Sequence, residues 1–159
     1  MRLDLATASR EDWRRLKEEL KRRAPEFGID KIGFASADPF DALRDILLRH
    51  REKGRESGFE EPDIEKRVRP DLNFDKPRSL IAIAVAYPAK LKNPPRSEKG
   101  ATRGIIARAA WGEDYHHVLR RRLERLADYI RECVPDARVE SMVDTGALVD
   151  RAVAERAGI

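Results

Sequence analysis

Apolar and polar positions follow one another along this chain in patterns that predict most of its elements. Trp13, Leu16 and Leu20 recur at helical spacing behind Ser9, and Asp12 stands three residues after that serine. This spacing predicts a first helix opened by a capping box, and Pro25 and Gly28 close it. Ile29 to Ala35 alternates as a short strand does. Asp38 and Pro39 are expected to open a second helix, which carries Phe40, Leu43, Ile46, Leu47 and His50 on one face and fades at Gly54.

Residues 54–78 hold glycines, prolines and many charges, and predict a long connection with one helical turn over Ile64 to Val68. Ser79 to Tyr87 is the clearest strand. Its large residues alternate with alanine, which predicts a central position buried on both faces, with room on the alanine face for a helix, backbone or ligand. Pro88 to Gly104 is basic and rich in proline and glycine, the composition of a segment that orders on a partner. A short strand is expected within Gly104 to Trp111. Asp114 to Cys133 reads as a long amphipathic helix, apolar along Tyr115, Val118, Leu119, Leu123, Leu126, Ala127 and Ile130 and stopped by Pro135. Arg120, Arg121, Arg122 and Arg125 lie on its other side. A strand-like run, Arg138 to Val143, then leads to Asp144 and Thr145, read as the N-terminus of a last helix over Ala147 to Ala157 with Gly158 as its C-terminal glycine. The order predicts an α/β domain, or α+β, with a small central sheet flanked by helices.

Length and composition fit a single globular domain of 159 residues. Charged residues reach 39%, but 33 Lys and Arg against 29 Asp and Glu is a mild excess. The net charge of +4 leans toward a polyanionic partner without requiring one. The single cysteine, Cys133, excludes an internal disulfide and any cysteine-rich metal cluster. No apolar leader and no long apolar run occur, so a soluble, cytoplasmic protein without membrane association is expected.

The block Ala107 to Leu119 gathers one of two tryptophans, one of three tyrosines and two of three histidines. Trp111-Gly112 allows backbone to approach a flat ligand, Asp114 is placed to cap a helix, and Tyr115 and His116 fall in its first turn. The same pattern also suits a core Trp111 and Tyr115 with Asp114 as a cap alone. Asp144 and Arg151, seven residues apart, fall on one face if Asp144 caps the last helix. A carboxyl near a cation and partly out of water can serve as proton donor or acceptor, but a plain cap with a surface arginine gives the same spacing. Adjacent His116 and His117 point about 100° apart on a helix and make a poor metal pair. The basic loop from Lys90 to Arg103, with the arginines of 120–125, suits either a phosphate backbone or solvent.

Several of these segments occur together in one family. F-G-I-D-K-I-G-F-A (Phe27 to Ala35), S-G-F-E-E-P-D (Ser57 to Asp63), the strand ending A-Y-P (Ala86 to Pro88), A-W-G-E-D-Y-H-H-V-L (Ala110 to Leu119) and V-D-T-G-A-L-V-D-R-A-V-A-E-R-A-G-I (Val143 to Ile159) stand in the order of the N-terminal half of the epoxyqueuosine reductases. The chain resembles that half over nearly its whole length. The resemblance implies a nitroreductase-like, cobalamin-binding domain and removal of the epoxide oxygen from a modified base in a tRNA anticodon loop. It implies cobalamin as cofactor, a ferredoxin-like part with two [4Fe–4S] clusters, a low-potential electron donor and a full-length monomer. It makes Asp144 the proton donor and Arg151 part of the substrate pocket with Tyr115 and His116. Trp111, Gly112, Asp144 and Thr145 would line the corrin. The family continues past the last helix into clustered cysteines, which this sequence lacks. The chain is therefore expected to be one N-terminal domain, 1–159, of something longer and not to turn over alone. Two other readings fit the residues: a non-catalytic tRNA-binding module, and another corrinoid and iron–sulfur reductase such as a reductive dehalogenase.

Overall fold

The structure, a computed structural model, describes residues 2–87, 90, 96–104 and 106–159. Helix α1 (Arg10–Arg23) opens as expected: Ser9 Oγ accepts the N–H of Asp12, and the Asp12 carboxylate accepts the N–H of Ser9 in return. Its C-terminus runs into a 3-10 turn over Ala24–Phe27, which Gly28 ends at φ +78. Strand β1 (Lys31–Ser36) follows, then α2 (Asp41–Glu52), α3 (Ile64–Val68), strand β2 (Ser79–Ala84), α4 (Tyr115–Cys133) and α5 (Asp150–Arg156).

The sheet is small and antiparallel. β1 pairs with β2 in a register that sets Ile32 opposite Ile83 and Phe34 opposite Ile81. These four side chains share one face and pack on a core of Leu16 and Leu20 from α1, Phe27 and Ile29, and Leu126, Ile130 and Cys133 from α4. The other face carries Gly33, Ala35, Ala82 and Leu80, and α5 lies on it. A Cβ on Gly33 would collide with the backbone carbonyl of Ala157 and meet the Ile159 side chain at 2.9 Å. The small residues expected to leave room for a helix thus receive α5. A second core of Phe40, Leu47, Ile64 and Val68, flanked by Leu80, Val149 and Val153, ties α2 and α3 to this side. The arrangement is helix, small sheet, helix, in the α+β form of the expected class because the strands run antiparallel.

Several expectations need correction. β2 is not a central strand buried on both faces: it stops at Ala84 in a two-stranded sheet, so its residues are exposed or half-buried. Gly104 to Trp111 forms no strand among its described residues but a 3-10 turn over Arg108–Ala110. The run 138–143 forms no strand. Helix α2 starts at Asp41 rather than Asp38 because the Arg156 guanidinium gathers the carbonyls of Asp38 (2.5 Å) and Pro39 (3.0 Å), which fixes that segment as a loop. Ile46 and His50 are exposed, so the buried face of α2 is narrower than its apolar pattern. Of the basic loop, residues 88, 89 and 91–95 lie outside the described residues; Glu98 and Ala101 close a tight turn around Gly100. No helix among the described residues is long and apolar enough to cross a membrane.

Candidate active site

The chain brings two distant segments together at Asp144. Asp114 caps α4 by accepting the N–H of His116 at 2.9 Å, so Tyr115 and His116 occupy the first turn, as the sequence predicts. The 143–149 segment then crosses that turn. The phenol of Tyr115 donates to Oδ2 of Asp144 at 2.5 Å, and Nε2 of His116 lies 3.6 Å from the same oxygen. The Tyr115 and His116 rings stack with centroids 4.1 Å apart, while His116 Nδ1 sits 2.8 Å from Asp114 Oδ1. Asp114, His116, Asp144 and Tyr115 form one connected polar cluster. Its central carboxylate is open: the Asp144 side chain is 63% exposed and that of His116 27%.

Asp144 reaches this position through an unusual backbone. It adopts φ +54, a left-handed conformation that costs a non-glycine residue free energy. Thr145 N–H and Thr145 Oγ1 both bond back to the carbonyl of Val143, and Asp150 Oδ2 accepts the N–H of Asp144 at 3.2 Å. Gly146 is needed there, since a Cβ would come within 2.7 Å of Met142 Sδ. Asp144 therefore does not cap the last helix. That helix begins at Asp150, after an N-cap Val149 without a side-chain bond, because the loop consumes the residues expected to form its first turn. Arg151 consequently does not share a helical face with Asp144; it is exposed, and no ion pair joins the two among the described residues.

The electrostatics follow from these contacts. The hydrogen bond to Asp144 holds the Tyr115 phenol above its ordinary range, with burial adding to it. Asp114 is held below the usual carboxylate range by the His116 N–H and then by the His116 ring. Burial pushes Asp150 up, opposed by the Asp144 N–H and aided by repulsion from the Asp144 carboxylate. Asp150 is the residue that sequence reasoning missed. Its only signal is a second Asp six residues after Asp144, which spacing alone assigns to an ordinary helix start.

Three of the arginines expected to face a partner are occupied within the fold. Arg122 donates to the carbonyl of Gly28, Arg125 to that of Glu26 at 2.8 Å, and Arg121 forms a two-point pair with Glu113. Arg120 has no such contact among the described residues. It lines a polar groove of about 270 Å³ with Asn73, Glu140, Met142, Thr145 and Gly146, behind the Asp144 loop.

Residues 67–145 match the family described as epoxyqueuosine reductase QueG, DUF1730. Over 148 residues, 93% of this chain, it is 55% identical to the epoxyqueuosine reductase of Bacillus anthracis, and over 144 residues 56% identical to that of Bacillus subtilis. The chain is similar to the epoxyqueuosine reductases over nearly its whole length. It spans about 39% of the length of the Bacillus anthracis relative and 37% of the Bacillus subtilis one. Solved epoxyqueuosine reductases superimpose closely. A selenomethionine-labelled one gives a TM-score of 0.84 at 55% identity, covering 92% of this chain and 39% of that one. Another, solved with an epoxyqueuosine-modified tRNA-Tyr stem loop, gives 0.81 at 53% identity over 91% of this chain and 38% of that one. A structure of the Bacillus subtilis epoxyqueuosine reductase, with its catalytic aspartate loop swung out of the active site, gives 0.82 over 91% of this chain and 38% of that one.

Within this family fold, Trp111 and Gly112 stand just before the Asp114 cap. The Trp111 indole N–H donates to the carbonyl of Ile106 at 3.1 Å, which anchors the half-buried ring on its turn. Gly112 has φ +85 and open space where a Cβ would be, so its backbone is accessible. Among the described residues, no group of three or more His, Cys, Asp or Glu is placed to hold a metal ion.

Proposed function

We infer that this chain is the N-terminal domain of an epoxyqueuosine reductase, and that it presents Asp144 to the epoxide oxygen of a modified base in a tRNA anticodon stem loop. The observation that carries this reading is the convergence of the 143–149 loop and the first turn of α4 on one open carboxyl. A relative solved with its aspartate-bearing catalytic loop swung out of the active site supports placing that role on Asp144, which here sits in a strained loop. A relative solved with an epoxyqueuosine-modified stem loop supports the substrate class. Opening an epoxide leaves an alkoxide, a poor leaving group unless protonated or hydrogen-bonded, so one exposed acid suffices for this part of the chemistry. Tyr115 and His116, flanking the acid, are positioned to contact the modified base. Arg151 is assigned to the outer edge of the substrate surface.

The resemblance implies a cobalamin. Exposed Gly112 backbone beside an anchored Trp111 suits one wall of a corrin site, with Asp144 and Thr145 at its edge. The groove behind the loop, at about 270 Å³, is far too small to enclose a corrin, so the remaining walls belong to the rest of the longer protein. When bound, cobalamin supplies the electrons for removing the oxygen. The residues here do not fit an iron–sulfur cluster, because Cys133 is buried and is the chain's single cysteine. Two [4Fe–4S] clusters and the contact with a low-potential, cytoplasmic electron donor are therefore assigned to the remainder.

A domain replacement tests the reading. This chain is exchanged for the matching segment of the Bacillus subtilis reductase, and conversion of an epoxyqueuosine-modified stem loop is followed anaerobically. Conversion by the hybrid, with none by the 159-residue chain alone, is expected. A hybrid that folds and binds the stem loop but converts nothing contradicts the reading.

A further inference from the structure

Asp114 makes two contacts with His116: its Oδ1 accepts the backbone N–H at 2.9 Å and lies 2.8 Å from ring Nδ1. These contacts hold Asp114 below the usual carboxylate range, so it is ionised near neutral pH and only accepts hydrogen bonds. Nδ1 must therefore carry a hydrogen. In a neutral imidazole, Nε2 then presents its lone pair. Nε2 is the atom 3.6 Å from Oδ2 of Asp144. That oxygen already accepts the Tyr115 phenol at 2.5 Å, a bond that keeps the phenolic proton on Tyr115. A nitrogen lone pair facing an ionised carboxylate oxygen is repelled. A single proton between them turns the repulsion into attraction.

We propose that His116, whose Nε2 lies 3.6 Å from Asp144 Oδ2, is the residue through which Asp144 is reprotonated after each donation, the two groups closing to hydrogen-bond length for the transfer. The proposal rests on the reading of Asp144 as proton donor. In the donation, the O–H bond of Asp144 breaks as the substrate O–H bond forms. In the refilling, the Nε2–H bond of His116 breaks as a new O–H bond forms on Asp144. Nε2 then takes a proton from solvent, which reaches the 27% exposed side chain: a water O–H bond breaks as the Nε2–H bond forms, and the hydroxide is neutralised in bulk solvent. No electrons are gained or lost by the protein groups. Throughout, Asp114 keeps the hydrogen on Nδ1, so the ring need not turn. The charged groups around the pair are Asp114, Glu113 and His117 beside the start of α4, Arg121, which is tied to Glu113, and Asp150 on α5.

Nitrogen-15 NMR of the histidine rings of this chain tests the proposal without turnover. The expected result is that the His116 ring, when neutral, carries its hydrogen on Nδ1. Asp144→Asn lowers the proton affinity of His116 by about tenfold, the size expected for losing one adjacent charge, and leaves that of His117 nearly unchanged. Tyr115→Phe, which keeps the Asp144 charge but removes its competing donor, raises the His116 proton affinity and preserves the tautomer. A hydrogen on Nε2 in the neutral ring, or a His116 titration that ignores Asp144→Asn, overturns the proposal. If that coupling is absent while Asp144→Asn still abolishes conversion in the hybrid enzyme, the relay falls and the donor reading stands. If the coupling is present but the Asp144→Asn hybrid converts normally, the donor reading falls and takes the relay with it.

Discussion

The carboxylate of Asp150 accepts the backbone N–H of Asp144 at 3.2 Å, so the first residue of α5 holds the loop that carries the candidate acid. Burial raises the Asp150 pKa, and the sign of its effect on stability follows. An acid with a raised folded-state pKa adds most to stability below its unfolded value, about 3.9, and loses that contribution as pH rises through the folded value. Asp150→Asn should therefore stabilise the chain at neutral pH by no more than about 1 kcal/mol, because the residue keeps much of its surface in solvent. The gain should disappear below about pH 4. Urea titrations at the two pH values check this.

The Tyr115 phenol titrates above its ordinary range because ionising it beside the Asp144 carboxylate is unfavourable. In Asp144→Asn the phenol should titrate at lower pH than in the parent chain. Ultraviolet difference spectra of tyrosinate formation measure it, with Tyr115→Phe identifying the band. An unchanged titration would mean that the Tyr115–Asp144 bond does not persist in solution.

Gly33 should tolerate no side chain. Its added Cβ meets the Ala157 carbonyl and Ile159, and the sheet cannot shift without parting from the core that packs on its other face. Gly33→Ala is expected to cost about 1–3 kcal/mol, the usual penalty of overpacking. Leu20→Ala, which empties a site 3% exposed in the first core, should cost about 2–5 kcal/mol. Thermal or urea unfolding gives both numbers. Because Gly33 lies under the C-terminus of α5, its variant should also loosen the Asp144 loop, seen as faster amide exchange at Asp144.

The arginines of α4 should separate into two groups. Arg122→Ala and Arg125→Ala lose bonds to the carbonyls of Gly28 and Glu26 and should reduce stability by about 0.5–1.5 kcal/mol each, with little change in stem-loop affinity. Arg120→Ala should leave stability within about 0.5 kcal/mol. If a phosphate of the stem loop lies in the groove, Arg120→Ala weakens binding at all sequences and reduces the salt slope by about one. Fluorescence anisotropy over a salt series distinguishes the groups.

How much could be read in advance depended on whether an interaction was local. The Ser9–Asp12 capping box, the Gly28 terminus, α3 and the Asp114 cap all lie within a few residues of sequence and appear where the pattern puts them. The alanine face of β2 left room for a helix, backbone or ligand, and it is α5 and its C-terminal end that fill it. Interactions between remote segments were not legible. Arg156 reaches across more than a hundred residues to the carbonyls of Asp38 and Pro39 and stacks 3.4 Å over Phe40, which displaces the start of α2. The last helix looked longer because T-G-A-L-V is compatible with helix in isolation. The Val143–Thr145 turn, Gly146 against Met142 and the Asp150 bond all draw those residues into a loop. The pairing of Tyr115 with Asp144, 29 residues apart, followed neither from spacing nor from propensity. Tyr115 and His116 were nevertheless legible as first-turn residues, because a capping aspartate fixes the turn that follows it. Arg151 was misplaced for the converse reason: its relation to Asp144 assumed that Asp144 caps the last helix, whose N-cap is Val149, five residues on.

The central claim is that Asp144 donates the proton that releases the epoxide oxygen. The most direct test is single-turnover conversion of an epoxyqueuosine-modified stem loop by the domain-replaced reductase, compared with its Asp144→Asn variant under the same anaerobic conditions. Asparagine keeps the side-chain shape and the bond from Tyr115 but has no acidic proton. The account predicts a loss of at least about a hundredfold in the rate, the low end for removing a general acid, with stem-loop affinity unchanged. A variant that converts the stem loop at the parent rate would contradict it.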